Sequence, residues 1–263
     1  MPRVALTIAG SDPGGAAGIQ ADLKTFHAFA VYGASVVTAL TAQDTTAVHA
    51  IADVDPSFVG AQLDAVLGDL PVAAAKTGML GRAAVVEVVS ARLAAHPVPH
   101  LVVDPVLIAT GGQRLTDAAA VEVVRRTLLP LATLVTPNLL EAAALTGRPV
   151  RDLAEMRDAA RALVDLGVRA ALVTGGHLAG PPVDVLFAGG ALRELEGPRI
   201  GEGPAHGTGC TLSAAITAGL AAELSLTDAI DRARRYVRRA LESAPALGRG
   251  RRPLNHLVNP DDG

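Results

Sequence analysis

The sequence predicts an α/β fold in which a doubly wound, mostly parallel sheet is flanked by helices. Short apolar runs alternate with longer helical patterns almost from one end of the chain to the other. Most of the short runs are apolar on both faces, as strands buried between two helical layers should be. The helical stretches repeat apolar residues at three- and four-residue spacing, which gives each helix one side that can pack on the sheet. Strand and helix alternating in this order indicate parallel strands joined by crossover helices.

The elements follow one another regularly until late in the chain. Predicted strands cover residues 4–9, 34–39, 73–76, 101–103, 134–136 and 170–173. Helical patterns cover residues 18–30, 56–67, 83–94, 117–128, 153–166, 209–220 and 226–241. Residues 184–200 break the rhythm, because an Ala188-Gly189-Gly190 turn between two apolar runs predicts a small hairpin at the sheet edge.

Composition limits both the architecture and the class of partner. The 263 residues are half hydrophobic and show no repeat, linker or composition shift, so we expect one domain over residues 1–263. The net charge is only -3 and the basic residues are scattered, which argues against a nucleic-acid partner. Five arginines within residues 232–239 are assigned to the solvated face of a helix.

Further limits come from the single cysteine and from the N-terminus. Cys210 has no second cysteine with which to form an intrachain disulfide. The apolar run at residues 4–8 is too short for a signal peptide or a membrane span. We therefore expect a cytoplasmic protein that does not associate with a membrane.

The strongest local signal is the segment Ala205-His206-Gly207-Thr208-Gly209-Cys210-Thr211, which runs directly into a helix of small residues. Free N–H groups of a helical first turn, together with the positive end of the helix dipole, bind anions. The same position would lower the pKa of the Cys210 thiol and make its thiolate accessible. A small buried cysteine beside a close helix–strand contact is an equally good interpretation of this segment alone.

Two carboxylates and an amide suit a site for a metal ion and phosphate. Asp104 ends a buried strand, while Asn138 and Glu141 begin a helix three residues apart. Ligands bind at the carboxyl ends of parallel strands, and Mg²⁺ prefers hard oxygen ligands of this kind. Taken alone, Asn138 and Glu141 are better explained as a capping box that closes the start of the helix.

Gln43 follows another predicted strand and offers a donor and an acceptor side by side. That pair matches the N–C–NH₂ edge of an aminopyrimidine, which is the way glutamine reads adenine. A surface glutamine in a loop is the ordinary alternative.

Eight segments follow one another along the chain: Ala9-Gly10-Ser11-Asp12-Pro13, Gly18-Ile19-Gln20-Ala21-Asp22-Leu23-Lys24-Thr25, Thr41-Ala42-Gln43, Lys76-Thr77-Gly78-Met79-Leu80, Asp104-Pro105-Val106, Thr136-Pro137-Asn138-Leu139-Leu140-Glu141, His206-Gly207-Thr208-Gly209-Cys210-Thr211 and Leu254-Asn255-His256. Taken together and in this order, they resemble bacterial hydroxymethylpyrimidine/phosphomethylpyrimidine kinases. The resemblance covers nearly the whole chain. It implies a ribokinase-like kinase of thiamin biosynthesis, usually dimeric, that uses ATP and Mg²⁺ to phosphorylate a small-molecule pyrimidine twice.

The resemblance also implies a role for individual residues. The pyrimidine pocket would be formed by Gln43, Ala17, Asp22 and Met79. The anion hole for the transferred phosphoryl group would be formed by Gly207, Thr208, Gly209 and Cys210, with Cys210 acting as a base or only shaping the turn. The nucleotide would contact Asn138, Thr174 and Thr208, and Mg²⁺ would be held by Asp104 and Glu141, with Asn138 nearby.

Two lysines expected from the resemblance are replaced by other residues. Thr174-Gly175-Gly176-His177 stands where many relatives have Lys-Gly-Gly-His, and Thr110 replaces a second lysine. Mg²⁺, the helix dipole or an arginine could neutralise the phosphates instead. Two other functions stay open at this point: a pyridoxal kinase of the same fold, and a non-catalytic pyrimidine-binding protein.

Overall fold

The computed structural model describes residues 2–107, 116–176, 178, 180–200 and 205–261. Its centre is a nine-stranded sheet with the order β3-β2-β1-β4-β5-β6-β7-β8-β9. The strands are β1 (Val4–Ser11), β2 (Tyr32–Gln43), β3 (Val48–Asp53), β4 (Val72–Thr77), β5 (His100–Val103), β6 (Leu134–Val135), β7 (Ala170–Val173), β8 (Val183–Ala188) and β9 (Ala191–Glu196). The six strands from β2 to β7 in the sheet are mutually parallel, while β3, β8 and β9 run antiparallel to their neighbours.

Helices cover both faces of this sheet. They are α1 (Gly18–Ala28), α2 (Pro56–Asp69), α3 (Ala83–Ala95), α4 (Ala118–Val123), α5 (Leu139–Thr146), α6 (Leu153–Asp165), α7 (Thr208–Ala221) and α8 (Leu226–Glu242). One apolar core joins the sheet to α2 through α6, and a second core joins its other face to α1, α7 and α8. The doubly wound architecture predicted from the alternating pattern is therefore confirmed.

All six predicted strands are present, and so is the predicted hairpin. The β8–β9 turn is made by Gly189 and Gly190, both with positive φ angles that glycine adopts without strain. Two expectations were wrong in detail. The second strand extends to Gln43 because it pairs with β3, which the sequence did not predict. The helix predicted over residues 117–128 is α-helical only to Val123 and continues as a π-helical turn over Val124–Leu128.

Helix α7 shapes the carboxyl edge of the sheet. Its residues from Thr211 to Ala221 are all buried, and most of them are small. Small side chains let the helix axis approach the sheet closely. The first turn of α7 is thereby placed beside the carboxyl ends of β1, β4 and β5, where the polar residues identified from the sequence are found.

Candidate active site

A cavity of about 1070 Å³ runs along the carboxyl edge of the sheet, from β2 to β9. Eleven residues of the predicted site line it: Ala17, Gln43, Met79, Asp104, Asn138, Glu141, Thr174, Gly207, Thr208, Gly209 and Cys210. Residues more than 190 positions apart in the chain are thus brought to one surface. In the described part of the chain, no helix is long and apolar enough to cross a membrane.

The first turn of α7 faces this cavity without a capping side chain. Gly207 precedes the helix with φ 90°, and no side chain accepts a hydrogen bond from the N–H groups that follow. A Cβ on Gly207 would overlap the carbonyl oxygen of Ala16, so glycine is required by space as well as by backbone conformation. Uncapped N–H groups at the positive end of a helix are the arrangement from which the sequence predicted an anion site, and anion binding here stays a prediction.

Cys210 lies in this turn, but its thiol is not activated. Burial raises the pKa of the Cys210 thiol to about 12, and the carboxylates of Asp104 and Asp22 act in the same direction. The Lys76 ammonium and the Gly18 N–H oppose the shift without overcoming it. The predicted lowering of the thiol pKa was therefore wrong: desolvation and two acidic neighbours outweigh the helix dipole.

Beneath the turn lies a buried ion pair that the sequence did not reveal. The Lys76 ammonium is fully buried and donates to both carboxylate oxygens of Asp22, at 2.8 and 2.9 Å. Asp22 also accepts a hydrogen bond of 2.6 Å from the Thr7 hydroxyl, and Asp104 lies 3.7 Å from the ammonium. Burial disfavours the charge on Lys76, but its acidic neighbours raise the pKa above the usual value, so the side chain stays cationic.

Asp22 consequently does not occupy its predicted place in the substrate pocket. Its side chain is fully buried and does not line the cavity. The expectation was wrong because Asp22 faces inward from α1 to pair with Lys76 of β4.

Asn138 and Glu141 form the capping box that their spacing predicted, and their role at a metal site stays a prediction. The Asn138 side chain accepts from the N–H groups of Leu140 and Glu141, and Glu141 accepts from the Asn138 N–H, which completes a capping box. Both residues also line the cavity. Burial, with Asp104 nearby, raises the pKa of Glu141 to about 8. A bound cation would stabilise the ionised form of a buried carboxyl group that lies beside a second acid.

The donor set fits Mg²⁺ held together with a nucleotide. Asp104 and Glu141 offer two carboxylates to the cavity, and Asn138 adds an amide. Within the described residues, no three acidic, histidine or cysteine side chains converge as a preformed metal cage. Mg²⁺ is commonly bound by one or two carboxylates with phosphate and water completing its shell, so two carboxylates are sufficient.

Gln43 reaches the cavity beside His206 and Thr41. The Gln43 amide nitrogen lies 2.6 Å from His206 Nε2, and its oxygen lies 3.4 Å from the Thr41 hydroxyl. Met79 packs against Gly10, where a Cβ would come within 2.8 Å of the methionine methyl group. Gln43 and Met79 thus add a polar and an apolar side chain to the lining of the cavity, a combination that suits a substituted heteroaromatic ring.

Comparison with known proteins identifies the family. Residues 12–255 match the phosphomethylpyrimidine kinase family. The chain belongs to this family. The resemblance inferred from the sequence motifs is thereby confirmed.

The relatives of this chain are named for more than one activity. It is 49% identical to the hydroxymethylpyrimidine/phosphomethylpyrimidine kinase of Rhizobium meliloti over 98% of both chains. It is 50% identical to a thiamine biosynthesis bifunctional protein of Geobacter sulfurreducens over 98% of its own length, but it spans only 53% of that relative. Pyridoxal kinase of Bacillus subtilis, solved as an ADP complex, superposes with a TM-score of 0.92 at 35% identity, covering 97% of this chain and 98% of the other. This likeness supports the ribokinase-like fold.

In this family member, the loop after β7 reaches the cavity, and the contact of Thr174 with a nucleotide stays a prediction. Thr174 lines the cavity and donates its backbone N–H to Pro137, next to Asn138. Arg199 donates to the carbonyl groups of Gly176, Leu178 and Gly180, so a guanidinium lies on the loop whose lysine is replaced. Thr110 and His177 lie outside the described residues.

Three residues of the site were not assigned a role from the sequence: Asp12, Lys76 and His206. Asp12 is buried and accepts from the N–H groups of Gly14, Ala16 and Ala17, which holds the glycine-rich loop after β1. Burial opposes ionisation, but hydrogen bonds from His206 and these N–H groups lower the pKa of Asp12 below its usual value. The signal for Lys76 was its presence within an otherwise apolar strand, because a buried lysine requires a buried acid.

Proposed function

We propose that the protein transfers a phosphoryl group from ATP to the hydroxymethyl oxygen of 4-amino-5-hydroxymethyl-2-methylpyrimidine, and then to the resulting monophosphate. The observation that carries the proposal is the placement of Gln43 and Met79 in the same cavity as the uncapped first turn of α7. Substrate recognition and phosphoryl binding are thus brought together along one edge of the sheet. Residues 1–263 would act as a single kinase domain.

The residues of the site divide the work of phosphoryl transfer. Gln43 binds the aminopyrimidine edge, and the Gly207–Cys210 turn receives negative charge on the transferred group. Asn138, Thr174 and Thr208 would contact the nucleotide, while Asp104 and Glu141 would hold Mg²⁺. Bound Mg²⁺ would supply charge neutralisation at the phosphates. Phosphoryl transfer depends mainly on such positioning and charge stabilisation, so a neutral Cys210 thiol is compatible with it.

Two groups could offset the missing lysine at Thr174. Lys76 carries a buried positive charge close to Cys210 and Asp104, and Arg199, which follows β9, donates to carbonyl groups of the loop after β7. Lys76 would act from below the Gly207–Cys210 turn, which we call the anion turn. Arg199 would need to exchange its carbonyl partners for phosphate oxygens.

Pyridoxal phosphorylation is the second candidate function. It is favoured by the close fit of the Bacillus subtilis pyridoxal kinase, at a TM-score of 0.92. Both activities need the same anion turn, and they differ in which ring the site beside Gln43 accepts.

We further propose that the protein acts in the cytoplasm as a homodimer. Light scattering of the purified chain would check the oligomeric state.

The proposed function is tested by ADP release with the hydroxymethylpyrimidine, its monophosphate and pyridoxal measured in parallel. Gln43→Leu should raise the KM for the pyrimidine about ten- to a hundred-fold, the value of one bidentate contact, and leave the KM for ATP nearly unchanged. Gln62→Leu is the matched control, because Gln62 bonds the backbone of Val37 on the same strand but does not line the cavity. Equal changes in both KM values would remove Gln43 from the pocket, and no turnover with any substrate would favour a non-catalytic binding protein.

A further inference from the structure

A C-terminal segment, residues 248–253, crosses the turn that follows β2, and we call this segment the strap. Thr45 of that turn accepts three backbone N–H groups from the strap. The Thr45 hydroxyl oxygen accepts from Arg249 and Gly250 at 3.2 and 3.1 Å, and the Thr45 carbonyl oxygen accepts from Arg251 at 2.9 Å. Two segments more than 200 positions apart in the chain are thereby joined at one residue.

The strap backbone lies directly against Thr45 because two of its residues are glycines. A Cβ on Gly250 would overlap the Thr45 carbonyl oxygen, and a Cβ on Gly248 would overlap the Thr45 hydroxyl oxygen. Gly248 also has φ 76°, which glycine adopts without strain. A larger residue at either position would push the strap away from the turn.

The strap is also tied to the chain that enters α7. His206 donates its backbone N–H to the Arg252 carbonyl oxygen at 3.0 Å and forms a parallel β-bridge with Pro253. Just beyond the strap, the Asn255 N–H donates to the Ala240 carbonyl oxygen of α8 at 3.0 Å. The strap is therefore supported by α8 at its far end.

Gln43 and His206 reach the cavity from segments 163 positions apart, and their side chains lie 2.6 Å from each other. Thr45 follows Gln43 by two residues, so the strap hydrogen-bonds the backbone on both sides of this contact. We propose that the strap positions Gln43 for the pyrimidine and that Thr45 is the positioning residue through which the strap acts. Thr45 does not line the cavity, so it acts without touching the substrate. The inference rests on the proposed function.

Coupling between the strap and the pyrimidine site should act in both directions. A ligand that holds Gln43 should stabilise the strap against the turn. Trypsin can report this, because Arg249 and Arg251 lie in the strap and a protease cleaves backbone that has opened locally. We expect saturating hydroxymethylpyrimidine to slow cleavage after these two arginines in the wild type, as followed by mass spectrometry.

Thr45→Val tests the role of Thr45 by steady-state kinetics. Valine keeps the shape of the side chain but accepts no hydrogen bond, so the strap should separate from the turn more easily. We expect the KM for the pyrimidine to rise about five-fold or more, with kcat and the KM for ATP nearly unchanged, because Gln43 binds the ring equally in the ground state and in the transition state. Thr45→Ser keeps the acceptor and should restore most of the affinity.

A second variant tests the same contact from the strap. Gly250→Ala should raise the same KM, because the added Cβ overlaps the Thr45 carbonyl oxygen and displaces the strap. Thr46→Val is the matched control for the turn, since the Thr46 hydroxyl donates to Asp44 within that turn. Gly68→Ala is the control for the glycine change, because a Cβ there meets nothing within 4 Å.

Each outcome decides the inference. It is supported if Thr45→Val and Gly250→Ala raise the pyrimidine KM, Thr45→Ser does not, and the pyrimidine slows cleavage of the strap. An unchanged pyrimidine KM in folded Thr45→Val and Gly250→Ala would overturn it, and so would an equal rise in Thr46→Val, an equal rise in the KM for ATP, or cleavage that the pyrimidine does not slow.

Calorimetry of the wild type with the hydroxymethylpyrimidine separates the two proposals. Absence of binding would reject the proposed function and the inference together. Binding by the wild type, with an unchanged KM in the two strap variants, rejects only the inference.

Discussion

Cys210 occupies the anion turn with a thiol that is neutral at physiological pH, since its pKa is raised to about 12. Cys210→Ser keeps a small side chain with a donor, and we expect kcat to stay within about ten-fold of the wild type. Loss of a general base typically costs about 10²–10⁴-fold. Steady-state kinetics over pH 6–9, with circular dichroism to confirm folding, distinguishes a neutral thiol that shapes the turn from a general base. A loss above a hundred-fold in folded enzyme would restore the base role.

Glu141 should couple Mg²⁺ binding to proton release. Its pKa is raised to about 8, so the ion would bind to a carboxyl group that is still largely protonated at pH 7. The apparent Mg²⁺ affinity should therefore increase with pH up to about 8 and then level off. In Glu141→Gln the affinity should be weaker and nearly independent of pH. Mg²⁺ titrations at pH 6.5 and 8.5 measure this, and a pH slope unchanged in the variant would contradict the assignment.

The same carboxyl group should affect stability in a defined direction. Because the folded-state pKa exceeds the unfolded value near 4.5, the folded protein binds more protons between pH 4.5 and about 8. The Glu141 contribution to the free energy of unfolding therefore falls as pH rises through this window, and Glu141→Gln should remove that fall. Glu155→Gln is the matched control, since Glu155 occupies the equivalent position in α6 but does not line the cavity.

At the residue scale, sequence reasoning found the groups that end strands or begin helices. Gln43, Asp104 and Glu141 could be placed because the carboxyl edge of a parallel sheet is a property of the strand pattern alone. The pKa of Cys210 could not be predicted, because it depends first on burial of the thiol in the packed structure and then on Lys76, Asp104 and Asp22, which are distant in the chain. Asp22 was misplaced for the same reason: only the packed structure shows that it pairs with Lys76.

The helices differ in how they begin. Helices α2, α4, α5, α6 and α8 begin with a side-chain cap, whereas α1, α3 and α7 begin without one, and of these three α1 and α7 begin at the cavity. A capping side chain would occupy the N–H groups that a phosphate needs.

Strand β3 was not predicted because its residues are mostly exposed, so no buried apolar run marks it in the sequence.

Gly207→Ala tests the geometry of the α7 start. The alanine would have to adopt φ 90° and overlap the Ala16 carbonyl, so the turn must shift. We expect a stability loss of at least about 1 kcal/mol and a larger loss of kcat, because the N–H groups would be displaced. Gly68→Ala, where a Cβ meets nothing within 4 Å in helix α2, should be neutral or stabilising. Urea unfolding and steady-state kinetics of both variants check this, and normal turnover in Gly207→Ala would contradict it.

Across the whole molecule, the sequence pattern predicted the two helical layers, the parallel strands and the edge hairpin. The sequence pattern did not predict the spatial order of the strands or the shape of the cavity, because both depend on which strands become neighbours. Lys76, Asp22 and Asp104 illustrate the point, since β4, α1 and the segment after β5 meet only when β1, β4 and β5 lie side by side.

These buried charges couple the site to the stability of the fold. Removing one partner of a buried ion pair leaves the other charge uncompensated, so Lys76→Met and Asp22→Asn should each destabilise the protein, by about 3–5 kcal/mol for the lysine. The double variant removes both charges and should cost clearly less than the sum of the two single changes. Urea unfolding of the four proteins gives this coupling directly, with Arg92→Met and Asp64→Asn as an exposed control pair. Strict additivity at Lys76 and Asp22 would show that the pair is not coupled. If coupling is found, activity in the folded double variant then measures whether the Lys76 charge also assists the anion turn above it.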